Sequence, residues 1–222
     1  LNGLPKGYSD TDGISYTNSI FGFTNMGNSG RRYSYKSRVS FVDAEVLGDG
    51  IIDKDSTMEM LLAEPKPTSF NLYLEQNLNS DKKNLNIYEG DFTIRGFKQY
   101  WLKEYIEKPI VKNKNMSSVI HPLKEGTKFK GKVYFENLYE DELGLLIWSL
   151  RLNDDSYQNI GLAKPYGFGR VKVEDIDLYL EDVDSKYSNF SFDYLNQEKD
   201  IDRFINVYKD EFSKNYLNGR NI

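Results

Sequence analysis

The sequence predicts a mixed α+β fold, and three observations in its second half support this assignment. Lysines alternate with apolar residues over 128–135, which is typical of a strand with one buried face. Apolar residues then recur at helical spacing over 141–152, where acidic residues in the first turn suit the helix dipole. Alternation returns over 170–180, after a glycine-rich loop. The predicted order is therefore strand, helix, glycine loop, strand.

The first half of the chain carries shorter signals. Residues 1–19 are glycine-rich and polar, so we expect a flexible loop. A second glycine-rich loop over 25–37 is basic, and it leads into a strand over 38–46 whose alternation shifts by one residue, as in a bulge. The alternating apolar residues of 70–74 predict a further strand.

An amphipathic helix is predicted at the C-terminal end. Apolar residues recur there at helical spacing over about 197–217, so the helix should dock on the body of the protein. With 222 residues the chain is long for one domain but shorter than the length at which two are expected. We therefore predict one domain over 1–222.

Composition excludes several classes of protein and site. Hydrophobic residues make up 39% and charged residues 28%, which excludes disorder for most of the chain. No apolar run approaches the roughly 20 residues of a membrane helix, so we expect a soluble, cytoplasmic protein without a membrane partner. The chain has no cysteine and one histidine, His121, which excludes disulfides, thiolate metal sites and zinc sites of several imidazoles. We expect no metal and no cofactor.

The most informative segment is the glycine-rich loop before the last predicted strand. Gly161, Gly167 and Gly169 give its backbone the freedom to approach a polyanion closely. Lys164 and Arg170 are placed to donate to phosphates. A P-loop is excluded, because no Gly-Lys-Ser/Thr follows and the loop leads into a strand rather than a helix. An ordinary turn explains the same spacing, so the residues alone leave both interpretations open.

This loop resembles the C-terminal glycine-rich signature of the RAMP superfamily, the repeat-associated proteins of CRISPR systems. The signature is a Gly-x-x-Lys-Pro-x-Gly-x-Gly-Arg-Val run, which here begins at Gly161. Other segments resemble the superfamily in the same order: 20–22, 37–44, 94–101 and 126–150. Of these, 94–101 resembles a segment of a large type III subfamily. The resemblance covers most of residues 20–180.

The resemblance implies a ferredoxin-like (RRM-like) RAMP fold with long insertions. The core would span 20–180 and carry an insertion over about 47–125. The family usually opens with a strand and an Ile-Pro-x-Ser-Ser helix start, and nothing of that kind precedes Ile20. We therefore expect a C-terminal fragment that lacks the first strand–helix unit.

The resemblance also implies a function. We expect a subunit of a type III-like CRISPR effector that holds single-stranded guide RNA through its backbone for antiviral defence. Its partners would be the guide RNA and other RAMP subunits. The predicted RNA-binding residues lie in the glycine loop, in the strand after it and in the basic loop: Gly161, Lys164, Gly167, Phe168, Gly169, Arg170, Lys172, Arg31, Arg32 and Lys36.

Two alternatives stay open. One is an endoribonuclease for precursor or target RNA, whose candidate acids and bases are His121, Asp10, Asp12 and Asp43. In the type III backbone subunits that resemble this chain, the RNA-cutting aspartate lies in the N-terminal half. No catalytic residue is therefore carried over, and we predict that this chain alone is inactive. The other alternative is a protein-only scaffold, which the net charge of −5 favours.

Aromatic residues near the resembling segments are candidates for stacking on RNA bases. Tyr166 and Phe168 in the glycine loop fit stacking and packing equally well. For Trp101 we expect burial in the core instead.

Overall fold

The computed structural model describes residues 15–26, 32–49, 51–62, 64, 66, 68–77, 81–96, 98–111, 116–188 and 194–216. These residues form two compact units. The first unit contains 48–127 and 159–169, and the second contains 15–47, 128–158 and the chain from 170 onwards.

Helices and strands are both short, apart from two longer helices. In the part of the chain that the structure describes, the helices are α1 (Tyr16–Phe21), α2 (Phe70–Tyr73), α3 (Glu140–Arg151), α4 (Val183–Ser188) and α5 (Asp202–Tyr216). The strands are β1 (Phe23–Met26), β2 (Arg32–Tyr35), β3 (Val39–Phe41), β4 (Glu45–Leu47), β5 (Met58–Met60), β6 (Ser118–Ile120), β7 (Lys128–Lys130), β8 (Val133–Phe135), β9 (Gln158–Asn159), β10 (Arg170–Val171), β11 (Leu178–Glu181) and β12 (Leu195–Glu198). Short 3₁₀ helices occupy Lys82–Asn84 and Lys164–Tyr166. This content confirms the mixed α+β class.

The second unit is built on antiparallel two-stranded ladders, which pair β1 with β2, β3 with β8, β4 with β7 and β11 with β12. In the β3–β8 ladder, Val39 lies opposite Phe135. The strand predicted over 38–46 is interrupted at the predicted bulge, where 42–44 leave the regular ladder. There the backbone N–H of Val42 still donates to the carbonyl of Lys132 at 3.0 Å.

Helix α3 packs directly against α5 in the core of the second unit. Leu143 and Ile147 of α3 are buried together with Phe204 of α5. The two helices approach closely at Gly144, because a Cβ built there would lie 1.9 Å from the carbonyl oxygen of Phe204. Glycine is therefore needed for close packing at this position.

The same helix contributes a buried residue to a second cluster. Leu146 is buried with Ile20 of α1 and Val39 of β3. Helix α3, predicted by the spacing over 141–152, thus contributes buried apolar residues to two clusters.

The C-terminal helix begins later than its periodicity predicts. The expected start was about residue 197, but residues 195–198 form β12, which pairs antiparallel with β11. Helix α5 therefore begins at Asp202. The apolar residues of its predicted face, Phe204, Ile205 and Tyr208, are buried as expected.

The first unit contains the β5–β6 ladder, in which Met58 lies opposite Ile120. Met60 and Leu74 are fully buried in this unit. The strand predicted over 70–74 is wrong, because Phe70–Tyr73 form a helical turn that the backbone N–H of Leu74 closes by donating to the carbonyl of Phe70 at 2.8 Å. Three alternating apolar residues are too few to separate a turn of helix from a strand.

The loop predicted over 1–19 and the insertion predicted over about 47–125 can be compared with the described residues only in part. The loop predicted over 1–19 falls outside the described residues up to position 14, and from Tyr16 onwards the chain forms α1. The predicted insertion over about 47–125 nearly coincides with the longer segment of the first unit, 48–127. Among the described residues, no helix is long and apolar enough to cross a membrane.

Candidate functional site

The glycine-rich loop folds as a tight turn within the first unit. Its centre is the 3₁₀ helix Lys164–Tyr166, and Gly167 and Gly169 follow with left-handed φ angles of 100° and 77°. A Cβ on Gly169 would lie 1.8 Å from the carbonyl oxygen of Ile160, and one on Gly167 would lie 2.4 Å from that of Tyr105. Both positions therefore need glycine for conformation and for space. A Cβ on Gly161 would meet open space.

Several backbone N–H groups of this turn are used inside it. Those of Tyr166 and Phe168 donate to the carbonyl of Ala163 at 2.9 and 3.4 Å, and that of Gly167 donates to the carbonyl of Lys164 at 3.1 Å. These three amides do not point outward to form an anion-binding cradle. These three N–H groups are therefore not available to a phosphate.

The cation of the turn lies beside an aromatic ring. The Lys164 ammonium donates to the carbonyl of Gly161 at 2.7 Å and lies 5.6 Å from the centroid of the Tyr100 ring. The Lys98 ammonium lies 5.1 Å from the same ring. We call Lys98, Tyr100 and Lys164 the first-unit cluster.

A second group of the same kind lies in the second unit. The Arg170 guanidinium lies 5.0 Å from the centroid of the Tyr157 ring, and the Lys172 ammonium lies 6.0 Å from it. The Lys172 ammonium also donates to the carbonyl of Asp154 at 2.5 Å. Arg170 and Lys172 are exposed, and Tyr157 is 40% exposed. We call Tyr157, Arg170 and Lys172 the second-unit cluster. Both cations lie near the same ring, although the strand predicted over 170–180 is interrupted: β10 ends at Val171, and β11 begins at Leu178.

The aromatic residues of the glycine loop are partly covered by the protein. The Tyr166 hydroxyl donates to the carbonyl of Leu61 at 3.0 Å, and Phe168 is half-buried. The prediction for Trp101 is wrong, because its side chain is 88% exposed rather than buried in the core. Its place in a short apolar stretch suggested burial, but the described residues 98–111 form no helix or strand.

The predicted cations of the basic loop are only partly described. Arg31 lies outside the described residues, and Arg32 lies in β2 with its side chain outside them. The Lys36 side chain is 83% exposed and its ammonium lies 2.7 Å from Glu136 Oε1. The hydrogen bond from Lys36 lowers the pKa of the Glu136 carboxyl below its ordinary value.

Of the candidate catalytic groups, the structure describes His121 and Asp43. His121 is exposed and its Nδ1 lies 3.3 Å from Thr57 Oγ1, while Asp43 is exposed as well. Asp10 and Asp12 lie outside the described residues. Across the described ranges, no three His, Asp or Glu side chains come close enough together to hold a metal ion.

Arg38 and Glu142 form a buried ion pair in the second unit that no sequence pattern predicts. We call it the buried pair. The two side chains are 10% and 5% exposed, and the guanidinium donates directly to the carboxylate. Arg38 also donates from Nε to the carbonyl of Ser19 at 3.0 Å and from Nη2 to Ser19 Oγ at 2.7 Å. Its Nη1 donates to the carbonyl of Asn137. The donors of this arginine are thus bound to fixed protein groups.

The carboxylate of the buried pair is equally well bound. It accepts hydrogen bonds from Arg38, from the Ser19 hydroxyl and from the backbone N–H of Tyr139, the last at 2.9 Å. Burial alone raises the pKa of Glu142, but these hydrogen bonds and the nearby positive charge outweigh it, so the pKa lies below its ordinary value. The carboxylate is therefore charged at neutral pH.

A polar pocket of about 400 Å³ opens next to the buried pair, wholly within the second unit. We call it the Arg38 pocket, and its lining residues are Ser19, Tyr35, Lys36, Arg38, Glu136, Asn137 and Tyr139. Of the predicted RNA-binding residues, Lys36 lies in this pocket.

No known protein-family model matches this chain, and no curated protein is significantly similar to it in sequence.

Proposed function

We propose that this chain is an RNA-binding subunit that grips the backbone of single-stranded RNA with the second-unit cluster. The observation that carries the proposal is the position of Arg170 and Lys172, 5.0 and 6.0 Å from the ring of the half-exposed Tyr157. A partly exposed ring with cations near it offers an aromatic surface for a base and donors for the adjacent phosphates. Both interactions tolerate any base sequence.

The first-unit cluster supports the same chemistry. Tyr100 has the ammonium groups of Lys98 and Lys164 at 5.1 and 5.6 Å from its ring centroid. Lys164 belongs to the glycine turn whose sequence resembles the RAMP signature. Each unit therefore carries one ring with two cations beside it.

The net charge of −5 is compatible with this proposal, because a local basic surface can bind a polyanion on an acidic protein. Together with the resemblance on the glycine loop, this surface leads us to propose a cytoplasmic subunit of a type III-like CRISPR effector with a ferredoxin-like RAMP fold. Guide RNA and neighbouring RAMP subunits would be its partners. Base pairing of the guide, rather than this chain, would supply sequence specificity.

RNA binding is tested with a double variant and a matched control. Arg170→Ala/Lys172→Ala removes both cations of the second-unit cluster, whereas Lys132→Ala/Lys199→Ala removes two exposed cations of the same unit outside the cluster. Filter binding with labelled single-stranded RNA should show a loss of affinity of about tenfold or more for the first variant and a smaller loss for the second. Equal losses in both variants would contradict the assignment of this surface, and absence of RNA binding by the wild type would favour the protein-only scaffold.

We further propose that the chain alone does not cut RNA. Its one histidine contacts a threonine hydroxyl rather than a second acid or base that the structure describes. Gel analysis of RNA incubated with the purified chain and Mg²⁺ should show intact RNA. Cleavage that disappears in Asp10→Ala, Asp12→Ala or Asp43→Ala would instead establish the endoribonuclease alternative.

A further inference from the structure

The Arg38 pocket has the size and the chemistry of a site for one nucleotide. Its volume of about 400 Å³ lies near the lower end of ligand-binding pockets, which start at about 300 Å³. Its lining carries hydroxyl, amide and charged groups and two aromatic rings, with no aliphatic side chain among them. Such a lining suits a small polar ligand with a flat ring rather than a lipid or an apolar peptide segment.

Tyrosine side chains supply the aromatic surface of the pocket. Tyr35 is 41% exposed and Tyr139 is 74% exposed, so both rings remain accessible to a ligand. Bases of single-stranded RNA bind to proteins by stacking on such rings and by hydrogen bonds along their edges. Asn137, which also lines the pocket, has an amide with donors and an acceptor for a base edge.

The buried pair fixes the residues that form this surface. Arg38 Nη1 holds the carbonyl of Asn137, and the guanidinium lies 5.8 Å from the centroid of the Tyr35 ring. Glu142 Oε2 accepts from the backbone N–H of Tyr139 at 2.9 Å. Asn137 itself has a left-handed φ of 53°, a conformation that non-glycine residues adopt only at specific sites. Three residues of the pocket are thus positioned by one satisfied, buried ion pair.

Lys36 supplies a cation for the phosphate of such a ligand. Its ammonium is paired with Glu136 at 2.7 Å, but the side chains are 83% and 56% exposed, so the pair contributes little to stability. A phosphate group can compete with the Glu136 carboxylate for the Lys36 ammonium, because the exposed pair is weak. The Arg38 charge, in contrast, is already balanced by Glu142.

We propose that the Arg38 pocket binds one ribonucleotide, with its base against the tyrosine rings, its base edge at Asn137 and its phosphate at Lys36. The inference rests on the proposed function only in taking RNA as the ligand. The pocket would then fix one nucleotide of the bound strand, while the second-unit cluster holds the backbone of the rest.

Ribonucleoside 5′-monophosphates test this site without a long RNA, by calorimetry or by NMR titration up to about 10 mM. Asn137→Gly removes the amide but keeps the backbone, because glycine adopts a left-handed φ without strain. Tyr139→Ala removes one ring, and Tyr134→Ala is its control, since Tyr134 is 59% exposed on β8 of the same unit and does not line the pocket.

We expect at least one monophosphate to bind, with about tenfold weaker binding in Asn137→Gly and in Tyr139→Ala and no change in Tyr134→Ala, since a stacked base typically contributes tenfold or more. The inference is wrong if none of the four monophosphates binds to the folded protein. It is also wrong if both pocket variants bind like the wild type, or if inorganic phosphate binds as tightly as the nucleotides.

The two proposals fail separately. Arg170→Ala/Lys172→Ala should keep the binding of monophosphates, because its substitutions lie outside the pocket. Binding of monophosphates without binding of longer RNA would contradict the proposed function and leave the pocket assignment in place. If longer RNA binds but the pocket variants do not change the binding of monophosphates, the pocket assignment is contradicted and the proposed function stays in place.

Discussion

Arg38 and Arg170 belong to the same unit but have opposite environments. Arg38 is 10% exposed, and its donors bind a carboxylate, a hydroxyl and two carbonyls. Arg170 is exposed and lies 5.0 Å from the centroid of the Tyr157 ring. Residue type alone therefore does not identify a cation that binds a ligand. A buried guanidinium whose donors are bound by fixed groups stabilises the fold, whereas an exposed guanidinium remains available to a ligand.

The largest expected effect comes from breaking the buried pair. Glu142→Gln leaves the Arg38 charge without its buried counterion, which should lower the free energy of unfolding by about 3 to 5 kcal/mol. Arg170→Ala, at an exposed position, should change it by no more than about 0.5 kcal/mol. Urea denaturation measures both values.

A double variant separates the charge from the space it occupies. Arg38→Met/Glu142→Leu replaces both partners with apolar side chains and should recover much of the stability that Glu142→Gln loses. If Glu142→Gln is as stable as Arg170→Ala, the contrast between the two arginines does not hold.

A buried leucine on the same helix as Glu142 shows how much stability an uncharged core residue contributes. Leu146 is 6% exposed and packs with Ile20 and Val39. Leu146→Ala should lower the free energy of unfolding by about 2 to 5 kcal/mol. Leu195→Ala, at a 55% exposed position on β12, is the matched control and should lose less than about 1 kcal/mol. An unchanged melting temperature in Leu146→Ala would contradict the burial of α3.

Acid should weaken the buried pair. The pKa of Glu142 in the folded protein lies below its ordinary value of 4.5, so folding favours the charged carboxylate. The resulting stability is fully present above the unfolded-state pKa and is lost as the pH falls through the lowered, folded-state pKa. Hydrogen bonds also lower the pKa of four other carboxyls, which are present both in the wild type and in Glu142→Gln: Asp53, Glu136, Asp182 and Glu198.

Melting temperatures between about pH 7 and pH 3 test this contribution. The wild type should lose more stability on acidification than Glu142→Gln, whose side chain at position 142 cannot be protonated in this range. Parallel curves for the two proteins would show that the buried carboxylate adds nothing to the acid sensitivity.

Local patterns predicted the parts of the structure that local interactions determine. The helix predicted over 141–152 is α3, within one residue at either end, because its periodicity and acidic first turn are contained in its own sequence. The same approach misplaced the start of α5, since residues 195–198 become a strand only by pairing with β11. That pairing is invisible in helical periodicity.

The site was harder to predict, for a related reason. Arg38 and Glu142 are separated by 104 positions, and no pattern in either segment indicates that they meet. Lys164 and Arg170, in contrast, are close in sequence, yet they fall in different units and contact different rings. Arg170 and Lys172, two positions apart, lie near the same ring, although the predicted strand that was to align them ends at Val171.

The salt dependence of RNA binding tests most directly whether the exposed cations beside Tyr157 contact phosphates. For a single strand, each lost phosphate contact reduces the slope of log affinity against log salt by about 0.7. The slope for Arg170→Ala/Lys172→Ala should therefore be shallower than the wild-type slope by about 1.4. The affinity should fall about equally for all RNA sequences. A folded double variant with the wild-type slope and affinity would contradict the account, because Arg170 and Lys172 would then be cations that touch no RNA.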